Sequence, residues 1–217
     1  MNNFFSIIIP IYNEFSKLNE LISGLKFYYN LGHEIVIIDD GSNDNSRKLL
    51  LKFDFINLIC SNKNLGKGTA IINGLRRAKN EKIIIFDGDL ELNPDQIIKL
   101  MSTKEKCVFG VRQNLYTYSN IWSIGNRFFT WLFNFINNSN IKDALCCAKS
   151  FSKSDLILDN LKSTAFDIDI EIASILIKKY KNIKTVDLQY IRRNTIDGKK
   201  LRLKDSILIL KRLLLSY

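Results

Sequence analysis

Two clusters of side chains stand out for the chemistry that their types and spacing allow. The run Ile83-Ile84-Ile85-Phe86 ends in Asp87-Gly88-Asp89, which sets two carboxylates two residues apart where an apolar strand opens into a loop. Extended geometry separates them enough for one to coordinate a divalent cation while the other holds a sugar hydroxyl or the cation's water shell. Hard oxygen donors of this kind suit Mg²⁺ or Mn²⁺ bridging a diphosphate. The second cluster is Asp39-Asp40-Gly41-Ser42, where a loop carboxylate can accept hydrogen bonds from a base or ribose and Gly41 permits a tight turn. The plain alternatives are an Asp-Gly turn for the first cluster and a helix N-cap turn for the second.

A third segment, Asn64-Leu65-Gly66-Lys67-Gly68-Thr69, lacks the G-x-x-x-x-G-K-[ST] spacing, and no G-x-G-x-x-G follows the first apolar run. P-loop and classical dinucleotide chemistry are thereby excluded. The segment can still offer backbone N–H groups and the Lys67 ammonium to a phosphate at a helix start. Cys60, Cys107, Cys146 and Cys147 form no C-x-x-C pair and His33 is the single histidine, so sequence neighbours assemble no zinc site. Cys146 and Cys147 read as small buried apolar residues, and His33 as a surface or satisfied histidine.

Acids at strand ends act together only if a scaffold gathers those ends. The 217 residues, 46% apolar and 25% charged, suffice for one domain with a substantial core. Short β-rich runs alternate with amphipathic stretches over the first hundred residues, which predicts βαβ units around a mostly parallel, Rossmann-like sheet flanked by helices. Strands are expected at Phe4 to Ile11, Glu34 to Asp39, Ile56 to Ser61, Lys82 to Asp87 and Lys106 to Val111. Helices are expected near Phe15 to Tyr29, Asp44 to Phe53, Gly66 to Lys79 and Pro94 to Met101. Ligands of such open sheets bind beyond the carboxyl ends of the strands, where both acidic clusters fall. After Val111 the regularity breaks. Ile121 to Ile136 carries ten apolar residues in sixteen and is expected to be a core helix. A strand at Lys142 to Phe151, a helix at Asp167 to Tyr180, a strand at Ile183 to Tyr190 and an amphipathic segment at Leu201 to Tyr217 complete the pattern.

Thirty-two Lys and Arg against 22 Asp and Glu give a net charge of +10, which attracts nucleic acid, a phosphorylated substrate or a membrane surface. Between Arg192 and Tyr217 eight basic residues face only Asp197 and Asp205. That segment fits a monotopic membrane contact, a gate for an anionic substrate, or a solvated face on a packed terminal helix. Aromatic residues are not interleaved with it and no RNA-binding signature occurs, so no nucleic-acid partner is expected. The N-terminus lacks a basic n-region, and no apolar run reaches the roughly 18 residues of a spanning helix. The expected location is the cytoplasm, peripheral at the cytosolic membrane face, with a membrane-protein partner as a further way to reach it.

In combination these pieces resemble the GT-A glycosyltransferases of family 2, and within it the polyprenyl-phosphate (dolichyl-phosphate) mannose and glucose synthases. Ser6 to Glu14 is similar to the family's opening strand, Asp39 to Ser42 to its nucleotide-binding turn, Asn64 to Gly68 to its next loop, and Asp87-Gly88-Asp89 to its DxD motif. Asp143 to Lys149, Ile168 to Glu171 and Gly198 to Asp205 resemble later stretches, although Cys147 stands where Gly is usual, Lys199 replaces Ser and Glu91 replaces a frequent Gln. The resemblance implies that Pro10, Tyr12 and Glu14 shape the base pocket, Asp40 holds the base, Asp87 the ribose or diphosphate, and Asp89 with Glu91 the metal. It divides the chain into a catalytic domain over 1–191, with a nucleotide-sugar half 1–111 and an acceptor half 112–191, followed by a basic segment 192–217.

The expected reaction is inverting transfer of a hexose from a UDP-glucose or GDP-mannose type donor. A hydroxyl acceptor requires a carboxylate base, for which Asp169 or Glu171 would serve. A polyprenyl phosphate is already ionised and instead needs cations to hold two anions together. The surplus of Arg and Lys after residue 110 favours the lipid phosphate, with a saccharide hydroxyl in surface glycan assembly as the alternative. The resemblance makes Arg112, Arg127 and Lys149 the principal candidates for the acceptor phosphate or diphosphate, with Arg192, Lys200 and Arg202 behind them. A nucleotidyltransferase shares paired acids but leaves the opening Pro-x-Tyr-Asn-Glu run unexplained.

Overall fold

The computed structural model describes residues 4–113, 121–180, 182–193 and 203–215. Strands β1 (Phe5–Ile11), β2 (Glu34–Asp39), β3 (Ile56–Cys60), β4 (Lys82–Ile85), β5 (Val108–Arg112), β6 (Lys149–Ser152) and β7 (Lys184–Leu188) form one sheet in the order β3-β2-β1-β4-β6-β5-β7. All neighbours run parallel except β6, which lies antiparallel between β4 and β5. The helices are α1 (Phe15–Asn30), α2 (Ser46–Leu50), α3 (Lys67–Arg77), α4 (Ile97–Met101), α5 (Ile121–Asn137), α6 (Ile168–Lys179) and α7 (Leu203–Leu215).

Helices cover both faces of the sheet, which is why the strands read as continuous apolar runs. In β1 the pleat sends Ile7, Ile9 and Ile11 to the core beneath α1, against Leu18, Leu21 and Leu25. Ile8, with Val36 and Ile38 of β2, faces the opposite core under α3 and α6. Each such side chain contributes roughly 1.5–3 kcal/mol when fully buried, and Ile7, Ile8 and Ile9 have no exposure at all.

Two expectations need correction. The strand expected from Lys142 to Phe151 is confined to Lys149–Ser152. The preceding residues form a turn that carries Asp143 to Arg112 instead of a sheet ladder. The helix expected to be core is core on one side only. Phe133 is fully buried, but Ile124, Phe128, Trp131 and Phe135, four residues on one helical stripe, are 64%, 49%, 60% and 73% exposed. A helix laid over a sheet buries one face, and α5 has more aromatic residues than one face can hold. Helix α7 packs into the same core through Ile209 and Leu213, while Ile207, Leu214 and Leu215 remain exposed. Among the described residues no helix is long and apolar enough to cross a membrane.

Candidate active site

The strand order reverses between β1 and β4, and a crevice opens at that switch point beyond their carboxyl ends. It encloses about 550 Å³. Pro10, Tyr12 and Glu14 reach it from the end of β1, Asp40 from the end of β2, and Asp87, Asp89 and Glu91 from the loop after β4. Lys67 enters from the first residue of α3, Arg112 from the last of β5, and Asp169 from the first turn of α6.

One wall is a pair of clamped loops. Asp39 is fully buried, accepts from the Ser42 N–H at 3.0 Å and pairs with Arg47 at 2.7 Å, which fixes the turn after β2. Gly41 takes φ 74°, where a side chain is strained. Asp40 accepts the Leu65 and Gly66 N–H groups at 2.8 Å each. Burial raises its pKa despite those two donors, and the Asp39 charge adds to the rise. The loop before α3 differs from the expected phosphate cradle. Gly66, at φ 95°, and Gly68 press against the backbone of Ser163 and Thr164, and the Gly68 N–H donates to the Thr164 carbonyl at 3.0 Å. The glycines serve close packing between two loops, and their amides are already engaged.

At the centre, the Lys67 ammonium sits 2.9 Å from Asp87 and 3.0 Å from Asp169, joining the loop after β4 to α6. Burial favours the neutral amine, yet the two carboxylates outweigh it and hold Lys67 protonated. Burial likewise opposes ionisation of Asp87, but Lys67, the Cys147 thiol and Arg112 keep its carboxyl below the ordinary range. Asp89 goes the other way. Burial and the charges of Asp87 and Glu91 push it up to about 6, only partly offset by Arg193.

That excess of negative charge, built from hard carboxylate oxygens, fits a divalent cation at Asp89 with Asp87 beside it. The guanidinium of Arg193 stands in for one, 3.1 Å from Asp89 and 2.8 Å from Glu14. Glu91, expected as a ligand, turns its two oxygens to the Tyr190 hydroxyl and the Arg193 N–H at 3.0 Å each. Among the described residues no three acids form a ready-made metal cage. Arg193→Gln is therefore expected to tighten Mn²⁺ binding to the nucleotide-free protein by roughly tenfold, since a neighbouring positive charge is removed. Electron paramagnetic resonance titration of free Mn²⁺ reads this directly, and unchanged binding would remove Arg193 from competition at Asp89.

Cations line the crevice as well. Arg112 is held by Asp143 through two bonds of 2.8 and 2.9 Å, and its guanidinium lies 5.5 Å from the Tyr190 ring centroid. Asp143 is buried, and the Arg112 charge keeps it ionised against that burial. Arg192 and Arg193 line the same crevice, as does Asp205 of α7. The structure does not bring Lys149 or Arg127 to it. Lys149 is buried within β6, donates to the Cys146 carbonyl and lies over the Phe109 ring, while Arg127 is on the exposed side of α5. Lys200 and Arg202 lie outside the described residues. Glu171 accepts the Lys162 and Ser163 N–H groups and pairs with Arg212 at 3.0 Å, so it orients loop and helix away from the crevice. Cys146 and Cys147 are buried thiols and His33 accepts the Phe5 N–H at 3.2 Å, as their neighbours in sequence suggest.

Sequence reasoning missed Arg193 and the partner of Arg112. The signal for the first was the Arg192-Arg193 pair directly after β7, which could not say which guanidinium points at the acids. The second was hidden by reading Asp143 as part of a strand.

Three comparisons bear on this arrangement. The family model described as glycosyl transferase family 2 matches residues 6–156. An undecaprenyl-phosphate 4-deoxy-4-formamido-L-arabinose transferase of Proteus mirabilis is 34% identical over 46% of this chain, which spans 33% of that relative's length. A dolichyl-phosphate beta-glucosyltransferase of Saccharomyces cerevisiae is 29% identical over 98% of this chain and 73% of its own. Glucosyl-3-phosphoglycerate synthase from Mycobacterium tuberculosis, solved with Mn²⁺, uridine diphosphate and glucosyl-3-phosphoglycerate, superposes with a TM-score of 0.77 at 15% identity, over 98% of this chain and 79% of that one. The sheet order, the crevice at its switch point and the matched span together place the chain: it has the GT-A fold and belongs to glycosyl transferase family 2.

Proposed function

We propose that the chain transfers a sugar from a nucleotide-diphosphate sugar to a polyprenyl phosphate, with Mn²⁺ or Mg²⁺, at a membrane surface. The observation that carries this reading is one crevice lined both by the acids Asp87 and Asp89 and by the guanidinium groups of Arg112, Arg192 and Arg193. Such a site suits two anionic reactants. The names of the two lipid-phosphate transferases similar to this chain agree with it.

In this reading residues 1–111 hold the donor and 112–191 the acceptor. Tyr12, Glu14 and Asp40 bound the nucleotide end, and the fixed loop at Leu65 and Gly66 keeps that end in shape before binding. A divalent cation at Asp89 and Asp87 would supply Lewis-acid charge for the departing diphosphate. Lys67, held between Asp87 and Asp169, keeps the donor and acceptor sides in register. Arg112, fixed by Asp143, meets an acceptor phosphate at no further ordering cost. Because that nucleophile is already ionised, Asp169 is free to serve as the anchor of Lys67 and need not take a proton.

The test is transfer of radiolabelled sugar from a panel of UDP- and GDP-sugars with Mn²⁺ into an organic phase, with and without polyprenyl phosphate. Lipid-dependent label is expected and names the donor. Label that appears only on a saccharide would move the acceptor to a hydroxyl and make Asp169 the candidate base.

A further inference from the structure

We infer that the outer faces of α5 and α7 form a seat for an anionic lipid bilayer. The inference rests on the lipid-acceptor reading for the orientation of the crevice, while the surface itself is visible in the side chains. Ile124, Phe128, Trp131 and Phe135 recur at helical spacing along α5 and are all exposed. Trp131 and Phe135 stack with ring centroids 6.0 Å apart, and Phe128 lies 6.2 Å from Trp131, so the stripe is a preformed aromatic ridge. Helix α7 packs against α5 and adds Ile207, Leu210 and Leu214 as exposed apolar residues. An exposed aromatic ridge of this kind, with further exposed apolar residues on the helix packed beside it, marks an interaction surface.

Charge selects the partner. Helix α5 contains no acidic residue, and the single acid of α7, Asp205, is buried and faces the crevice. Among the described side chains of α5 and α7 the exposed charges are positive: Arg127 beside Phe128, and Lys211 between Ile207 and Leu214. Long basic side chains reach up to lipid phosphates while their stems stay among apolar groups, and aromatic rings favour the boundary between headgroup and acyl chain. In a self-complementary dimer the basic residues of both copies would meet on a face where α5 and α7 offer no exposed acid to pair with, which disfavours a second copy.

The inner faces of the same helices complete the argument. Asn126 and Phe129 of α5, and Asp205 and Ile209 of α7, line the crevice. A bilayer resting on the outer faces therefore lies about one helix diameter, roughly 10–12 Å, from the crevice that Arg112 lines. No helix needs to span the bilayer for this; the two helices lie on it.

The experiment is flotation of the full chain with vesicles of phosphatidylglycerol and phosphatidylcholine containing no polyprenyl phosphate. The wild type is expected to float, and Trp131→Ser with Phe135→Ser to lower the partition coefficient at least about tenfold, because two exposed aromatic side chains are lost. Leu51→Ser, at an exposed apolar residue beyond α2, is expected to float like the wild type. An unchanged melting temperature shows that the double variant is folded. Equal flotation of wild type and double variant, or no flotation of the wild type, overturns the inference. A concentration-dependent dimer in sedimentation equilibrium that the double variant loses also overturns it and assigns the face to a second copy. Transfer into polyprenyl phosphate presented in detergent separates the two ideas. Its failure in the wild type, with the flotation difference intact, rejects the lipid acceptor and leaves the membrane seat standing.

Discussion

Asp89→Asn is expected to lower sugar transfer by about a thousandfold while the protein gains stability at neutral pH. The activity loss follows from removing the carboxylate best placed for a divalent cation, whose charge stabilisation of the leaving diphosphate is worth several kcal/mol. The stability gain follows from the raised pKa. Burial, with Asp87 and Glu91 nearby, lifts the folded-state value to about 6, against about 4 for an unfolded carboxylate. The folded state therefore binds the proton more tightly than the unfolded one. Stability associated with the protonated form is full below about pH 4 and is lost as pH rises through 6. A neutral amide escapes that loss. Without metal, the melting temperature of Asp89→Asn should exceed that of the wild type at pH 8, and the difference should vanish near pH 4. A variant that stays active, or that melts below the wild type at pH 8, would contradict the assignment of Asp89.

Lys67→Met is expected to cost about 3–5 kcal/mol of stability, the scale for removing one partner of a buried ion pair. The ammonium is shared by the buried Asp169 and by Asp87, which is 30% exposed, and when it goes Asp87 keeps only the charge of Arg112 while both direct ion pairs are lost. Two carboxylates then face each other across the junction of the β4 loop and α6. Adding Asp169→Asn to Lys67→Met should recover part of the loss, because the like-charge pair is broken, and chemical denaturation of the four proteins of the cycle gives the coupling. Additive effects would mean that Lys67 acts by packing alone, for instance against the Phe166 ring 5.5 Å away.

The βαβ half of the molecule was legible because β1, β2 and β4 are buried on both faces and the helices on one, so the period of apolar residues carries the information. The strand ends then bring Asp40, Asp87 and Asp89 to one crevice, since topology fixes where they gather. Beyond Val111 the pattern still located α5, α6, β7 and α7 and failed at one strand. Strand β6 is only four residues long and antiparallel, too short for an alternation to register. Lys149 shows the limit most clearly. The family resemblance of Asp143 to Lys149 made it a phosphate candidate, yet the pleat of β6 turns it into the interior against Phe109. Arg112, at the mouth of its strand, points the useful way because Asp143 pulls it there. Which side of a strand faces the crevice depends on register, and register here is set by partners far along the chain.

The insertion of β6 between β4 and β5 also dictates an order of assembly. During synthesis β1 to β4 can pair as they emerge, in the order β3-β2-β1-β4, and form a working core with α1 and α3. Strand β5 then has no partner, because both of its neighbours, β6 and β7, come later in the chain. It must wait until residue 149 has emerged for one edge and residue 184 for the other. Until then the edge of β4 is open and prone to pairing with other chains. Arg112 is the last residue of β5, so the wall that meets the acceptor closes only after the donor side is already built.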